Sequence, residues 1–341
     1  MEHLQYALRD QNSDFYILQV DYTGAESERF YKNELLFESL KSRVSIPTTK
    51  QKLNDKSNAS NVIPRPKHIR KCDLVLLMPI KKFPLSKEQQ EFYVLITETC
   101  MGASESVRRE ALQRLQLDSS LQPMAPTLCT FISDAVKVNV VQKNFVLLVY
   151  LMRMVHALLG NSNLQLQSYV HLLISSVLSC CVANQLCAYS SAQNHWALRE
   201  FAAIIMIDIL KLFSNVDKSI LPRVLRVYKN GLQSAVLPTI YGCAVGLSKL
   251  GGYIIFKFII PQLRSIAICI ETQLSKDDDD VDKQAAIFIR HRLLKMCAPI
   301  LKTIHSAPDM VSEYIEHYGY LGPGLCDAVV LARIIDELSV T

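Results

Sequence analysis

The amino-acid sequence predicts an all-α protein built as a stack of paired helices. Helical signals follow one another almost without a break from Ser86 onward, and glycine is scarce, at 11 of 341 residues. Trp196 and Tyr241, each near the start of the first helix of a predicted pair, are 45 residues apart, which is within the period of HEAT and armadillo repeats. We therefore expect an α-solenoid of about five HEAT-like helix pairs, each packed on its neighbours.

The composition is that of a globular protein with a large core. Hydrophobic residues make up 50% of the chain and charged residues 20%, and the net charge of +5 permits association with nucleic acid or acidic partners without demanding it. Ten cysteines without a secretory signal at the first residues indicate buried thiols in a reducing compartment. Polar residues interrupt the apolar runs, as Lys257 does between Tyr253 and Pro261, so we expect no transmembrane span.

The first part of the chain is predicted to be separate from the solenoid. Residues 1–20 indicate a short helix, a polar turn and a short apolar strand. Residues 44–79 are predicted to be a flexible basic linker, because this polar tract has little apolar surface to bury. Within it, residues 65–71 fit a nuclear import signal or a phosphate contact, or simply a solvated linker. The solenoid is predicted over residues 80–337.

Capping residues and apolar periodicity place the helices. Ser86 with Gln89 three residues later forms a capping-box pattern before the first helix. Asn194 is a preferred N-cap type before the long central helix, which is apolar on several sides. The same signals predict further helices at about 105–117, 126–137, 143–159, 166–183, 195–213, 217–230, 234–250, 252–274, 284–304 and 310–318.

Particular residues in the centre of the chain indicate tight packing between pairs. Gly242 and Gly246 lie four residues apart and share one helix face, where missing side chains permit close approach. Gly251 and Gly252 predict a chain reversal, and Pro261 predicts a helix kink. The expected structural signature of the solenoid is Asn194, Trp196, Arg199, Phe201, Tyr241, Gly242, Gly246 and Pro261.

No arrangement of residues predicts catalysis. The chain has no metalloprotease, phosphate-loop or nucleophile-elbow motif, so we expect no enzyme, no cofactor and no metal. Cys180, Cys181 and Cys187 lack a nearby histidine at zinc-finger spacing and are predicted to be core thiols. The run 277–280 of four aspartates is predicted to be a solvated loop, although a metal site is an alternative. His195 and Trp196 could stack on a base, but packing between repeats is the simpler interpretation.

Several collinear blocks between about residues 80 and 335 resemble the C-terminal domain of transcription initiation factor TFIID subunit 6, a TBP-associated factor family. The longest is residues 194–203, and the others are residues 85–90, 131–133, 138–142, 150–155, 241–242, 246–247, 260–263 and 297–301. The resemblance implies a stack of HEAT repeats that serves as a scaffold in TFIID and, for some members, in SAGA-type coactivators.

The resemblance also carries expectations about function and partners. It implies a non-catalytic nuclear scaffold that supports assembly of the RNA polymerase II preinitiation complex through other TBP-associated factors. Leu4 to Asn12 is similar to the end of the family's histone fold, so residues 1–43 are expected to hold a short histone-fold remnant and the segment after it. The sequence lacks the long central helix of that fold, which puts pairing with the usual partner, subunit 9, in doubt.

Other functions remain open on the sequence alone. Membership of a SAGA-type complex is one alternative, and a HEAT-type adaptor in transport or in the cytosol is an alternative of another class. A direct contact with DNA would need a basic surface, but scattered cations are usually solvated. The candidates for such a surface are Arg199, Lys211, Arg223, Arg226 and Lys229.

Overall fold

The computed structural model describes residues 3–10, 13–21, 85–188, 194–275 and 280–340. The predicted linker, including Cys72 and the basic residues 65–71, and the aspartates at 277–279 lie outside the described residues. The chain divides into two units, and one of them, residues 1–2 and 21–83, is almost entirely among the residues that are not described.

A two-stranded sheet of β1 (His3–Asp10) and β2 (Ser13–Asp21) occupies the described N-terminal residues. The predicted short helix over these residues is therefore wrong, and the residues that resemble the end of a histone fold include a strand. The sequence contains a reason for the error. Leu4, Tyr6 and Leu8 alternate with other residues at a period of two, which favours a strand over a helix.

Twelve α-helices of eight or more residues make up most of the remaining described part of the chain. They are α1 (Lys87–Met101), α2 (Glu105–Leu117), α3 (Ala125–Gln142), α4 (Phe145–Leu159), α5 (Val170–Val182), α6 (His195–Phe213), α7 (Ile220–Leu232), α8 (Leu237–Ser248), α9 (Leu263–Leu274), α10 (Asp280–Ile304), α11 (Val311–Tyr318) and α12 (Gly322–Val340). Short 3-10 turns at Ser119–Met124 and Gly319–Leu321 precede α3 and α12.

These helices form six pairs, each an odd-numbered helix packed against the even-numbered helix that follows it. Every even-numbered helix from α2 to α10 packs against the next even-numbered helix, and in a second layer α3 contacts α5 and α5 contacts α7. Stacking of helix pairs in two layers is the arrangement of an α-solenoid. The predicted all-α solenoid is confirmed.

The pairing differs from the sequence prediction in its phase. The helices that carry Trp196 and Tyr241, α6 and α8, are the second members of their pairs, since α6 packs mainly on α5 and α8 mainly on α7. A helix repeat has the same period whichever helix is counted first, so the 45-residue interval could not fix the phase.

The sixth pair was missed because its second helix begins at Gly322-Pro323-Gly324. These residue types usually interrupt helices, but proline is tolerated in the first turn, where its missing N–H would have no partner within the helix.

Caps and breakers act largely as predicted. The Ser86 side chain accepts from the Gln89 N–H, and the Gln89 side chain accepts in return from the Ser86 N–H. Gly251 has φ +112° and reverses the chain after α8. Before α9, Ile255–Ile259 is a π-helical turn and Ile260–Gln262 a 3-10 turn. Pro261 lies there and has no N–H for a regular helical bond, so the helix type changes at this residue.

The segment Gly252–Leu274 corrects the expectation that no stretch could cross a membrane. Its 23 residues are long and apolar enough by length and composition, and 33% of its most apolar window is buried inside the protein. Core helices of globular proteins meet the same criterion, so one such segment is weak evidence of a span. Ile259, Leu263 and Ile266 on its inner side belong to the solenoid core.

Candidate functional site at the junction of four helices

The carbonyl groups at the C-terminal end of α5 are held by side chains from two later helices. Arg199 of α6 donates from Nη1 to the Cys181 carbonyl at 2.7 Å and from Nη2 to the Ala183 carbonyl at 2.6 Å. Thr239 of α8 donates from Oγ1 to the Val182 carbonyl at 3.0 Å. The last carbonyls of a helix have no partner within that helix, and a cation beside them is favoured by the helix dipole. The C-terminal end of α5 is thus tied to α6 and α8.

Arg199 is fully buried, with 0% of its surface exposed. Burial lowers its pKa to about 10, so the guanidinium remains charged at neutral pH. No carboxylate of the described residues forms an ion pair with it. The expectation that Arg199 contributes to a basic surface is wrong, whereas Lys211, Arg223, Arg226 and Lys229 are exposed.

Gly242 allows α8 to approach the end of α5 at this clamp. A Cβ atom at Gly242 would lie 1.9 Å from the Cys181 carbonyl oxygen, a distance that only the absence of a side chain permits. Gly246, one turn later, faces the ring of Tyr228 in α7, where a Cβ atom would lie 2.5 Å from Cζ. Both glycines therefore serve close helix packing, against two different helices.

An aromatic cluster joins α6, α8 and α10 beside this clamp. The ring centroids of Trp196 and Tyr241 are 5.0 Å apart and meet edge to face, and Phe288 lies 5.2 Å from Trp196 and 5.5 Å from Tyr241. Edge-to-face contacts are favoured by the ring quadrupoles. Trp196 is half-buried, and its ring lies in the seam between three successive helix pairs.

A polar group continues the same seam. The Tyr241 hydroxyl donates to the Glu200 carboxylate, which also forms an ion pair with Arg292 of α10. The side chains of Glu200 and Arg292 are only 15% and 20% exposed. Burial first, and the Glu200 charge second, raise the pKa of Tyr241 above its ordinary range. The hydroxyl therefore stays protonated and remains a donor at neutral pH.

Three further residues of the predicted signature are Phe201, Asn194 and Pro261. Phe201 is buried in α6 and faces the preceding pair, with its ring centroid 5.8 Å from that of His156 in α4. Asn194 caps α6 by accepting from the Ala197 N–H at 3.2 Å, as predicted. Pro261 is exposed in the irregular turn before α9 and lies outside the junction.

Sequence reasoning missed three residues that complete the junction, Thr239, Phe288 and Arg292. Glu200 and Arg292 are 92 residues apart, so no local spacing could reveal their ion pair. Thr239 lies two residues after the start of α8 and resembles an ordinary first-turn residue. Only the stacking of pairs brings these side chains together.

The cysteines near the junction are buried thiols. Cys180, Cys181 and Cys187 are at most 1% exposed, and burial raises the pKa of Cys181 to about 12. A thiol with a raised pKa is protonated and unreactive at neutral pH. Of the other described cysteines only Cys269 is half-buried, in agreement with the predicted core thiols. Within the described residues, no group of three or more histidine, cysteine or acidic side chains is placed to hold a metal ion.

The stacked pairs and their junction define an α-solenoid of the HEAT type, a class of proteins that acts through extended surfaces. The family model described as the TAF6 C-terminal HEAT repeat domain matches residues 81–264, which is more than half of the chain. The chain belongs to this family.

Curated relatives agree with this assignment. Transcription initiation factor TFIID subunit 6 of Drosophila melanogaster is 46% identical over 268 residues, covering 78% of this chain and 44% of the relative. A Schizosaccharomyces pombe protein named SAGA complex/transcription factor TFIID complex subunit Taf6 is 31% identical over 215 residues, covering 62% of this chain and 47% of the relative. The chain thus spans less than half the length of these two relatives.

One solved structure, also described as a TAF6 C-terminal domain, aligns with part of the chain. The TAF6 C-terminal domain from Antonospora locustae aligns with a TM-score of 0.46 and 20% sequence identity, covering 61% of this chain and 97% of that domain.

Proposed function

We propose that this chain is a non-catalytic scaffold subunit of TFIID that supports assembly of the RNA polymerase II preinitiation complex in the nucleus. The observation that carries the proposal is the 46% identity to a Drosophila TFIID subunit 6 over 268 residues. Membership of a SAGA-type complex is the second candidate, because the fission-yeast relative is named for both complexes.

The geometry supports a scaffold because the core of the stack is mutually braced. The clamp on the end of α5 and the aromatic seam connect α5, α6, α8 and α10 through side chains from separate pairs. Such bracing holds the outer surfaces of successive pairs in fixed relative positions. A fixed array of surfaces is what positioning several partner subunits requires.

Purification of the tagged chain from nuclear extract, followed by mass spectrometry, tests the proposal. We expect other TBP-associated factors to co-purify, and the presence of SAGA-specific or TFIID-specific subunits decides between the two complexes. Recovery without subunits of either complex would refute the proposal, and import receptors in their place would favour the transport adaptor. Subunit 9 in the recovered set would show that the two chains share a complex, and recovery of a complex of the two purified chains alone would test direct pairing.

We also propose that nuclear import depends on the basic residues 65–71. A chain in which Arg65, Lys67, Arg70 and Lys71 are changed to alanine should shift a fluorescent fusion towards the cytoplasm. Changing the exposed Lys211, Arg223, Arg226 and Lys229 to alanine is the matched control, because it also removes four positive charges from the surface. An unchanged distribution of the first variant would contradict the import role. The second variant also tests DNA contact, since loss of DNA binding would assign it to these cations of α6 and α7.

A further inference from the structure

The outward side of α12, the last described helix of the stack, is apolar although it is exposed. Four large aliphatic residues share this side of the helix, and each is between 39% and 58% exposed. We call these four residues the outer stripe: Val330, Leu331, Ile334 and Ile335. The opposite side is buried, with Leu325 and Val329 at 0% exposure. A helix that is apolar on both sides is suited to contacts on both.

The position of α12 in the stack shows which kind of element suits the outer stripe. Each of α4, α6, α8 and α10 packs against both the preceding and the following even-numbered helix. By contrast, α12 packs against α10 and α11, and the described residues contain no even-numbered helix after it. A helix at the open end of a solenoid normally has a polar outer face. An apolar outer face therefore indicates that a further helix docks there.

The charge of the sixth helix pair is strongly acidic, and this limits the choice of partner. Residues 306–341 contain six aspartates and glutamates, one arginine and no lysine. That arginine, Arg333, is bound to the Asp309 carboxylate at 2.7 Å. Glu313 and Glu316 of α11 are exposed. The partner of this end of the stack is therefore expected to be basic.

Two exposed acids lie at the two ends of the outer stripe. Asp327 lies one turn before Leu331 and on the same side of α12. Glu337 lies one turn after Ile334, at the edge of the stripe. An apolar surface with a negative charge at each end matches an apolar helix face that has a cation near each end.

A second copy of this chain fits the outer stripe poorly. Antiparallel pairing of two α12 helices would place Asp327 of one copy opposite Glu337 of the other, and parallel pairing would place each acid opposite itself. Both arrangements bring like charges together beside the apolar contact, which is unfavourable. The same acids disfavour nucleic acid and anionic membrane surfaces.

We propose that the outer stripe is the docking site for an amphipathic helix of a partner protein, with lysines or arginines beside its apolar face. Asp327 and Glu337 are ten residues apart in one helix, which corresponds to about 15 Å. A helix packed alongside α12 meets both acids when its own cations are about ten residues apart. This inference deepens the proposed scaffold function and rests on it for the origin of the helix, whereas the chemistry of the docking site does not.

Two designed peptides of about 18 residues, or five helical turns, test the docking site. The first, the lysine peptide, has leucines along one helix face and a lysine beside each end of that face. The second, the glutamate peptide, differs only in having glutamates in place of the lysines. Each labelled peptide is titrated with the full chain at constant ionic strength, and binding is followed by fluorescence anisotropy. We expect the lysine peptide to bind saturably and at least about tenfold more tightly, because two attractive charge contacts replace two repulsive ones.

A variant of the outer stripe decides whether the lysine peptide binds there. Leu331→Ser combined with Ile335→Ser removes the centre of the stripe and should weaken binding by about tenfold or more. Leu95→Ser combined with Val107→Ser is the matched control, because these residues of the first helix pair are similarly exposed, at 56% and 50%. The control should leave binding unchanged. All four side chains are exposed, so we expect both variants to fold as the parent chain does.

A charge reversal tests the choice of a basic partner independently. Asp327→Lys combined with Glu337→Lys should reverse the preference, so that the glutamate peptide binds more tightly than the lysine peptide. Glu88→Lys combined with Glu110→Lys adds the same charge at exposed positions of the first helix pair. This control should keep the original preference.

Three results would overturn the proposal. The first is no saturable binding of the lysine peptide, or equal affinities for the two peptides. The second is an equal effect of the stripe variant and its control. The third comes from light scattering of the full chain: a dimer that the stripe variant converts to a monomer would show that a second copy occupies the face. Failure here leaves the scaffold function standing, because co-purification from nuclear extract tests that function separately.

Discussion

Replacing Gly242 by alanine tests how closely α8 approaches the end of α5. The new Cβ atom would lie 1.9 Å from the Cys181 carbonyl oxygen and 2.9 Å from its carbonyl carbon. The helix or the carbonyl must move by more than about 1 Å before an ordinary van der Waals contact is restored. Because the atom it meets is backbone, no side-chain rotation can relieve the overlap.

The expected loss of stability follows from three contributions. Overpacking costs about 1–3 kcal/mol, and displacing the Cys181 carbonyl weakens its bond to the Arg199 guanidinium, worth about 1.5–3 kcal/mol for a charged donor. Alanine regains about 1 kcal/mol of helix propensity relative to glycine. We therefore expect the free energy of unfolding to fall by about 2–5 kcal/mol.

Urea unfolding monitored by far-ultraviolet circular dichroism measures this change. Gly160→Ala is the matched control, since Gly160 has helical backbone angles and its new Cβ atom would meet only the exposed, flexible Gln116 side chain at 3.0 Å. We expect the control to change stability by less than about 0.5 kcal/mol. If Gly242→Ala is as stable as Gly160→Ala, the close approach of α8 to α5 described above is wrong.

Three further predictions concern the same junction. Trp196→Ala should lower the free energy of unfolding by about 3 kcal/mol, the low end for tryptophan because the ring is half-buried; unchanged stability with lost partner binding would make Trp196 a surface contact. A double-mutant cycle of Glu200→Gln and Arg292→Gln should give a coupling energy of about 1–2 kcal/mol, and a value near zero would mean that the ion pair contributes nothing. His195 has a folded-state pKa of about 4, below the ordinary 6.5, because burial and Arg199 disfavour its charge. The unfolded chain therefore binds the proton first, so stability that is present above pH 6.5 should fall by about 3 kcal/mol as the pH drops to about 4. Urea titrations across this range should show a flatter profile for His195→Gln than for the exposed control His171→Gln, and parallel profiles would refute the assignment.

The sequence contained the information for the helices because their signals are local. The helix predicted over 195–213 has those bounds in the structure, and so does the helix over 105–117. N-caps and apolar periodicity operate within a few turns, so one stretch of sequence reveals them. The pairing phase needed long-range information, because α6 lies nearer in sequence to α7 than to α5 but packs mainly on α5.

The packing of even-numbered helices against one another explains which helices are apolar on several sides. A helix such as α6 contacts its own partner α5 and the neighbouring even-numbered helices α4 and α8. Three contact surfaces leave little of the helix facing water, so an apolar residue is favoured at most positions. α7 contacts mainly α8 and keeps a basic outer face with Arg223, Arg226 and Lys229. The breadth of the apolar surface in the sequence is therefore a better guide to the layer of a helix than its position along the chain.

Arg199 shows why the candidate site could not be predicted in the same way. In the sequence it is one of several cations on a helix, and cations are usually solvated. Its burial depends on the carbonyls of Cys181 and Ala183 at the end of α5, which lie 18 and 16 residues earlier in the chain. It also depends on Gly242, which lets α8 approach the Cys181 carbonyl. A charge can be buried when fixed backbone dipoles replace the lost water. The Nε–H without a partner in the described residues is what this replacement leaves unsatisfied.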